Sequence, residues 1–523
     1  MIGAGHNGLV AAYYLARAGL RTLVLERRDL VGGACVTEEF APGYRASPGA
    51  YVLSMLRPAV WRDLRLAARG VRIDPAGPAL NLYPGGEQLE LHRDRGSTAE
   101  LIRRVDPRDA AAFLRLEQRM ESIARAVMPV LDRPPPDPQP HGTGDLLGLV
   151  PYVRLGLRRR LVPEMAYLFT TSMEAYLAEW FRSELVKSAL GWESISNTLL
   201  GPSAPGTAYG LLHDHASGVG SQEWGFVRGG MGVVTSAMAE AVLEAGAEIR
   251  TGVEVERILT RAGAVRGVAL GSGEEVHSRL VVSNADPKRT YLGLLEADGG
   301  LPDDFTGSIR AYRCDGASLK MNLAVAELPR LPEDRSDRPQ PYHRGLLQIT
   351  KPLSELDADQ ALAARGEPAP EPHIEMCFPT VHDASLAPPG SHVVTVGVRS
   401  QPYRLGEGSW DTRRDEIADR VVDRLGRFLP NLPGAIVHRE ILTPLDLERR
   451  LGLTGGHHMH GDMTPDQLLF MRPVRGFADY RSPVTGLYLC GAGTHPGGGV
   501  TGANGRNAAR QVLRDLRSGG RRR

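Results

Sequence analysis

Apolar positions change period along the 523-residue chain, and the changes mark out its elements. Leu9, Ala12, Tyr13, Leu15 and Ala16 recur at helical spacing and Gly19 stops the run, which predicts a helix over Leu9–Gly19. Arg21–Glu26 is then a short apolar block ending in an acid, the pattern of a buried parallel strand. The alternation returns later: a helix over Val234–Ala245, strands at Ala247–Arg250 and Val253–Ile258, a hairpin turning at Gly271-Ser272-Gly273, and a strand in Leu280–Pro287 ending in a polar turn. Near the far end, Gly486–Gly493 is a strand running into glycines, Thr494–Ala503 a tight loop, and Ala503–Arg517 a closing helix. Between these blocks the pattern predicts short strands around Gly85-Gly86 and a helical stretch over 97–130 with Thr98 or Asp106 as cap. A Pro-rich loop at Pro134–Pro140 and two or three helices from Leu146 to Gly191 follow. Residues 300–460 are mixed, with a strand at His392–Val398 and a helix at about 411–429.

The first helix opens on chemistry. Gly3, Gly5 and Gly8 form G-x-G-x-x-G between an apolar start and the helix, and Glu26 ends the next strand. Gly3 permits the tight turn, Gly5 lets a pyrophosphate approach the backbone, and Gly8 lets helix and sheet pack closely. The helix N-terminus offers free N–H groups to phosphate, and a carboxylate such as Glu26 suits ribose hydroxyls. Only Met1 and Ile2 precede Gly3, short for a central strand, so residues upstream are expected in the natural start or in relatives. A second Gly pair, Gly32-Gly33, can also approach a dinucleotide, and a third cluster lies at Arg228-Gly229-Gly230-Met231-Gly232. The 491–505 region supplies a second strand, Gly-loop and helix unit.

Composition narrows the classes. Gly makes up 61 residues, far above the roughly 7% that is typical, and many fall in the four places just named. A net charge of +1 leaves no nucleic-acid footprint. Lys187, Lys288, Lys320 and Lys351 are the only lysines, so Arg dominates the basic residues, as a GC-rich genome would write them. Four cysteines without C-x-x-C make neither a disulfide framework nor a zinc site, and lone Cys35 reads as a small buried hydrophobe. No run of 18 apolar residues spans a membrane and no signal-peptide pattern opens the chain, so a cytoplasmic home is expected. Arg154–Leu161, basic and partly amphipathic, reads either as a contact with an anionic membrane surface or as a solvated face.

Five segments together resemble the flavin-dependent phytoene desaturase and carotenoid oxidoreductase superfamily: MIGAGHNGLVAAYYLARAGLRTLVLERR, VGGACVTEEFAPGY, WGFVRGGMGVV, VVSNADP and GLYLCGAGTHPGGGVTGANGRNAAR. They look closest to its branch containing pyridine nucleotide-disulphide oxidoreductase domain-containing protein 2. The resemblance implies an α/β fold: a Rossmann-type, glutathione-reductase-like FAD-binding domain with an interleaved α+β substrate domain. The expected division is 1–76, 222–300 and 465–523 for FAD, and 77–221 with 301–464 for substrate. It implies non-covalent FAD, with Gly3, Gly5 and Gly8 at the pyrophosphate, Glu26 at the ribose, and Arg27, Gly32, Gly33 and Ala34 along the dinucleotide. Val255 would meet the adenine through its backbone. Gly229 and Gly230 would approach the isoalloxazine, and Gly493, Gly499, Thr501 and Gly502 the flavin and ribityl chain. Thr501-Gly502-Ala503-Asn504 departs from the apolar, Pro-containing end of carotenoid desaturases, which argues against a C40 carotene.

The implied reaction is hydride transfer from a C–H bond to flavin with loss of a neighbouring proton, forming a carbon–carbon double bond in a small, largely apolar, isoprenoid-like substrate. Flavin-dependent double-bond isomerisation, amine oxidation and a non-catalytic scaffold stay open. His495 is the first side chain expected to tune the flavin or handle a proton, against a plain backbone-bonding role. His457-His458-Met459-His460-Gly461-Asp462 has no helical metal-ligand spacing, so no metal is expected and a substrate-domain loop is. His213-Asp214-His215 reads either as tunnel lining or as a polar turn. No second dinucleotide fingerprint is present, so O2 or a quinone is the expected electron acceptor.

Overall fold

The computed structural model describes residues 1–135, 161–220, 224–296, 300–316 and 318–519. The basic stretch at Arg154–Leu161 therefore lies, except for Leu161, outside the described residues.

A parallel sheet carries the first and last motifs. Leu23–Leu25 pairs with Glu248–Arg250, and Val281–Ser283 pairs with Leu487–Leu489, both parallel. Ile2 joins the two halves by bridging Leu25 on one side and Ser283 on the other. Its N–H donates to Val282 O at 2.9 Å, and its carbonyl accepts from Asn284 N at 2.8 Å. The strand expected to be short is central all the same. The helix His6–Arg17 is buried nearly all round, because two other helices flank it. Leu9, Val10 and Ala12 meet the core shared with Gly232–Glu244, while Ala11 and Leu15 meet Ala508, Ala509 and Val512 of Ala503–Arg517. Alanines on that second face let two helices approach closely.

A seven-stranded mixed sheet forms the second layer system. Its order is Ile436–Leu442, Leu319–Val325, His392–Val398, Ile374–Cys377, Leu347–Ile349, Ala79–Leu82 and Gln88–Leu91. Every one of these strands comes from 77–221 or 301–464. Side chains alternate between sheet faces. One face is apolar: Leu319, Met321, Leu323, Val394, Val396, Ile374 and Met376 pack on Trp410, Ile417, Val421 and Leu425 of the helix Trp410–Phe428. The opposite face is polar. Lys320 pairs in register with Gly397, Gly397 with Glu375, Glu375 with Gln348, and Gln348 with Asn81. That row crosses five strands, and each of its four side chains is buried.

A helical layer stands beside this sheet. Arg95–Val105 is capped by Asp94, which accepts from Ser97 N at 2.8 Å. Thr98 is therefore inside the helix, and its hydroxyl closes onto His92 instead. Asp106 caps the 25-residue helix Pro107–Leu131. Leu161–Thr170, Met173–Trp180, Glu184–Gly191 and Tyr209–Gly220 complete the layer around a shared apolar core.

One side chain ties the layers together. Arg472 is fully buried, and its guanidinium donates to five backbone carbonyls: Met459, Gly461, Asp462, Gln467 and Ala492, at 2.7–3.2 Å. Its charge also lies 5.7 Å from the Tyr312 ring centroid. Five carbonyls lose a buried donor if this group shortens, and each unsatisfied group costs on the order of 1–3 kcal/mol. Lysine keeps the charge but offers only three donors on a point. Arg472→Lys is expected to lower stability by roughly 3 kcal/mol or more. Urea unfolding followed by circular dichroism checks this, and an unchanged midpoint would show that the network carries no net stability.

Candidate active site

The Gly loop is built for close approach. Gly3 takes φ 84°, and a Cβ on Gly5 would stand 2.6 Å from Asn284 Nδ2. A Cβ on Gly8 would drive into the Gly3 carbonyl oxygen. The helix that follows has no side-chain cap and no acid in its first turn, so its N-terminal field is not neutralised locally. Glu26 is buried at the strand end, where its Oε2 accepts from Ala4 N at 2.7 Å and its Oε1 from Arg28 N at 3.0 Å.

A cavity of about 1180 Å³ runs from this loop to the polar face of the seven-stranded sheet. Gly3, Gly5, Glu26, Arg27, Gly32, Gly33, Ala34, Val255 and Gly499 all line it. Gly8 sits just inside the helix, beneath the turn. Gly229 and Gly230 stand behind the loop and are not on the wall. Gly229 N donates to Asp383 Oδ2 at 2.5 Å, and Gly230 packs on Thr37, so this turn braces residues 32–37. Gly493, Thr501 and Gly502 are also set back, against Pro287, Asn504 and Val60 respectively. The C-terminal loop reaches the cavity through Ala492, Gly499 and Val500. His495 turns away: its Nε2 meets the Val130 carbonyl at 3.3 Å, and burial lowers its pKa to about 4.

Other histidines reach the cavity wall. His6, His458 and His460 line the cavity. Burial, then the nearby His460, lowers His6 to about 4. Burial lowers His460 to about 4 and takes His458 well below the usual histidine range. His6 Nε2 and His460 Nδ1 are buried without a hydrogen-bond partner among the described residues. The HHMH stretch was the available signal, but it lacked a spacing that tied it to the flavin loops. His457 is fixed differently, by Asp462 at 3.1 Å. Among the described residues no group of three or more His, Cys, Asp or Glu could hold a metal.

Further in, the floor presents Lys320, Gln348, Glu375, Gly397 and Arg399. Lys320 Nζ donates to Gly49 O at 2.5 Å and lies 5.1 Å from the Tyr51 ring centroid. Burial lowers its pKa to about 7, the charge being costly to keep without water. Glu193 is raised to about 8 by burial and then by Asp214, and burial also raises Glu375. His213, Asp214 and His215 lie in the helix Tyr209–Gly220 and line the cavity. Burial opposes a charge on His215, but its 2.9 Å bond to Glu117 outweighs this and raises it to about 9.

A Cβ-free turn, an open helix N-terminus, an acid at the strand end and unpartnered polar atoms are what a dinucleotide needs, and an adjoining chamber leaves room for a second molecule. Fold and site thus define an FAD-dependent oxidoreductase. The chain belongs to the flavin containing amine oxidoreductase family, whose model matches residues 8–513. It is 38% identical over 548 residues to pyridine nucleotide-disulfide oxidoreductase domain-containing protein 2 of Rattus norvegicus, covering 99% of this chain and 93% of that protein. It is 28% identical to a limonene dehydrogenase subunit from Castellaniella defragrans (99% and 94%) and 27% identical to a lycopene-forming phytoene desaturase of Pseudescherichia vulneris (99% and 99%). The fold is shared with an oxidoreductase from Methanosarcina mazei, at TM-score 0.63 and 17% identity over 98% of this chain and 99% of that one. Putrescine oxidase bound to putrescine shares it too, at TM-score 0.59 and 15% identity over 99% and 98%. Among the described residues no helix is long and apolar enough to cross a membrane.

The clash at Gly8 gives a direct check. Gly8→Ala should weaken FAD binding at least tenfold, about 1.4 kcal/mol, as measured by quenching of flavin fluorescence on titration. Unchanged affinity would mean that the turn does not set the approach of the cofactor.

Proposed function

We propose that this FAD enzyme dehydrogenates a small substrate with an apolar body, removing a hydride and a proton from adjacent atoms to form a carbon–carbon double bond. The observation that carries the reading is Lys320: a buried amine with a pKa of about 7, on the floor of the chamber that continues from the Gly loop. Bound non-covalently, FAD supplies the hydride acceptor. Gly3, Gly5, Glu26, Gly32, Gly33 and Gly499 would hold it. The chain's own residues supply position, dryness and proton handling. With burial lowering its pKa to about 7, Lys320 Nζ can give up its proton near neutral pH and then accept the proton lost from the substrate. Neutral His458 and His460 beside the chamber add no competing positive charge. Tyr51, Val52, Met55 and Leu346 form apolar wall against the substrate body and keep water out. O2 or a quinone would be the final electron acceptor, and residues 154–161 would supply any contact with a membrane surface.

Oxidation of an amine is the second reading, favoured by the adjacent cavity carboxyls Glu193 and Asp214. Product mass and peroxide release separate the readings. Loss of two hydrogens from a carbon skeleton supports desaturation, an unchanged mass supports isomerisation, and peroxide with amines alone supports the second reading.

The proton step has a pH signature. Anaerobic flavin bleaching by panels of isoprenoid alkenes, acids and amines identifies a working substrate. With it, the reduction rate should rise with pH through about 7, as Lys320 loses its proton. Lys320→Met should slow reduction by on the order of 10²–10⁴ and flatten that rise. A wild-type-like profile in this variant would remove Lys320 from the proton step.

A further inference from the structure

We infer that the polar floor of the cavity is a carboxylate-anchoring subsite, so that the substrate is an acid with an apolar body and Arg399 sets its orientation and specificity. The inference rests on the reading of this cavity as the substrate chamber.

Geometry carries it first. Arg399 follows the strand His392–Val398 two residues after Gly397, hence on the same face as Lys320 and Glu375. Gly397 has no side chain, and even an added Cβ would find only ordinary contacts at 3.8 Å. The row therefore contains a notch between a lysine and a glutamate, with a guanidinium beside it. Arg399 is only 9% exposed, yet the hydrogen bonds of its guanidinium are all long: 3.3 Å to Ser196 O, 3.3 Å to Ser318 Oγ and 3.4 Å to Glu375 Oε1. Good N–H···O bonds are nearer 2.9 Å. Its Nε is buried without a hydrogen-bond partner among the described residues, as is the amide oxygen of Gln348. A guanidinium taken out of water normally has its donors filled.

Four other cavity arginines have closer partners, although Arg28 Nη1 is also buried without a hydrogen-bond partner among the described residues. Arg95 and Arg125 pair with Glu117 and Glu121, and Arg28 with Glu38. Arg27 donates to the carbonyls of Arg449 and Arg450. Arg399 is also stationed over the Trp192 ring at 5.7 Å, with His373 stacked on that ring at 4.8 Å, so its plane is held rather than mobile.

Charge decides between an acid and an amine. Arginine keeps its charge at any ordinary pH, whereas buried carboxyls can neutralise by taking a proton. Burial raises both Glu193 and Glu375 toward their neutral forms, whereas Arg399 keeps its charge, so the floor favours an anion over a cation. A carboxylate presents two oxygens to the guanidinium fork and receives charge-assisted bonds from it.

Calorimetric titration of the FAD-loaded protein with octanoate, octylamine and 1-octanol tests this, each kept below its aggregation limit. Octanoate should bind at least tenfold tighter than the other two. Arg399→Gln should weaken octanoate by on the order of 10- to 100-fold with 1-octanol unchanged, and Arg399→Lys should restore part of the loss. Should Glu375, left alone, destabilise Arg399→Gln, the double variant Arg399→Gln/Glu375→Gln keeps both shapes without charge and should show the same loss. Tighter octylamine, equal binding of all three, or octanoate affinity unmoved in these variants would overturn the inference. Failure of the functional reading is distinct, because it shows as absence of flavin reduction whatever the titrations give.

Discussion

Arg472 is the constraint on which the cavity depends. Its guanidinium reaches carbonyls in 459–467 and at Ala492, two stretches with no regular ladder between them. A buried carbonyl away from helix or sheet must find a donor elsewhere. One planar group that meets five of them sets where His458 and His460 stand relative to the C-terminal Gly loop. Asn504 repeats the device at smaller scale, donating to carbonyls of Gly491 and Thr494 at 3.2 and 2.9 Å. The walls of the chamber are thus held by side-chain-to-backbone bonds, which shape a pocket without filling it.

The second determinant is alternation in the seven-stranded sheet. Its apolar face takes up the helix Trp410–Phe428, leaving the other face for polar positions. Burial of those positions then tunes them: Lys320 falls to about 7, while Glu375 rises. A floor of this kind can hold and move a proton in a dry chamber, where electrostatic interactions are stronger than in water. The same burial lowers His6, His458 and His460, while the Glu117 partner raises His215, and on the sheet floor Arg399 keeps its positive charge.

Much of this was legible in the chain. The Gly fingerprint, the acid at Glu26, the strand at 487–489 and the closing helix all rest on local spacing, and each lies within a few residues of its expected place. What was not legible depends on distant partners. The RGGMG turn is expected to approach the isoalloxazine, but Thr37 and Asp383 hold it behind the first Gly loop. His495 sits in the right loop, yet the long helix Pro107–Leu131 supplies the carbonyl that turns it away. His458 and His460 depend on an arginine some twelve residues later. Lys320 had a signal: with Asn322 it interrupts an otherwise apolar strand at alternate positions, the mark of a strand with one polar face.

Cofactor content tests the central claim most directly. Protein purified natively, denatured and assayed for released flavin should yield FAD in amounts equal to the chain. A colourless preparation that gains no flavin absorption with added FAD would contradict the assignment of the Gly-lined cleft, and with it the role of the polar chamber beside it.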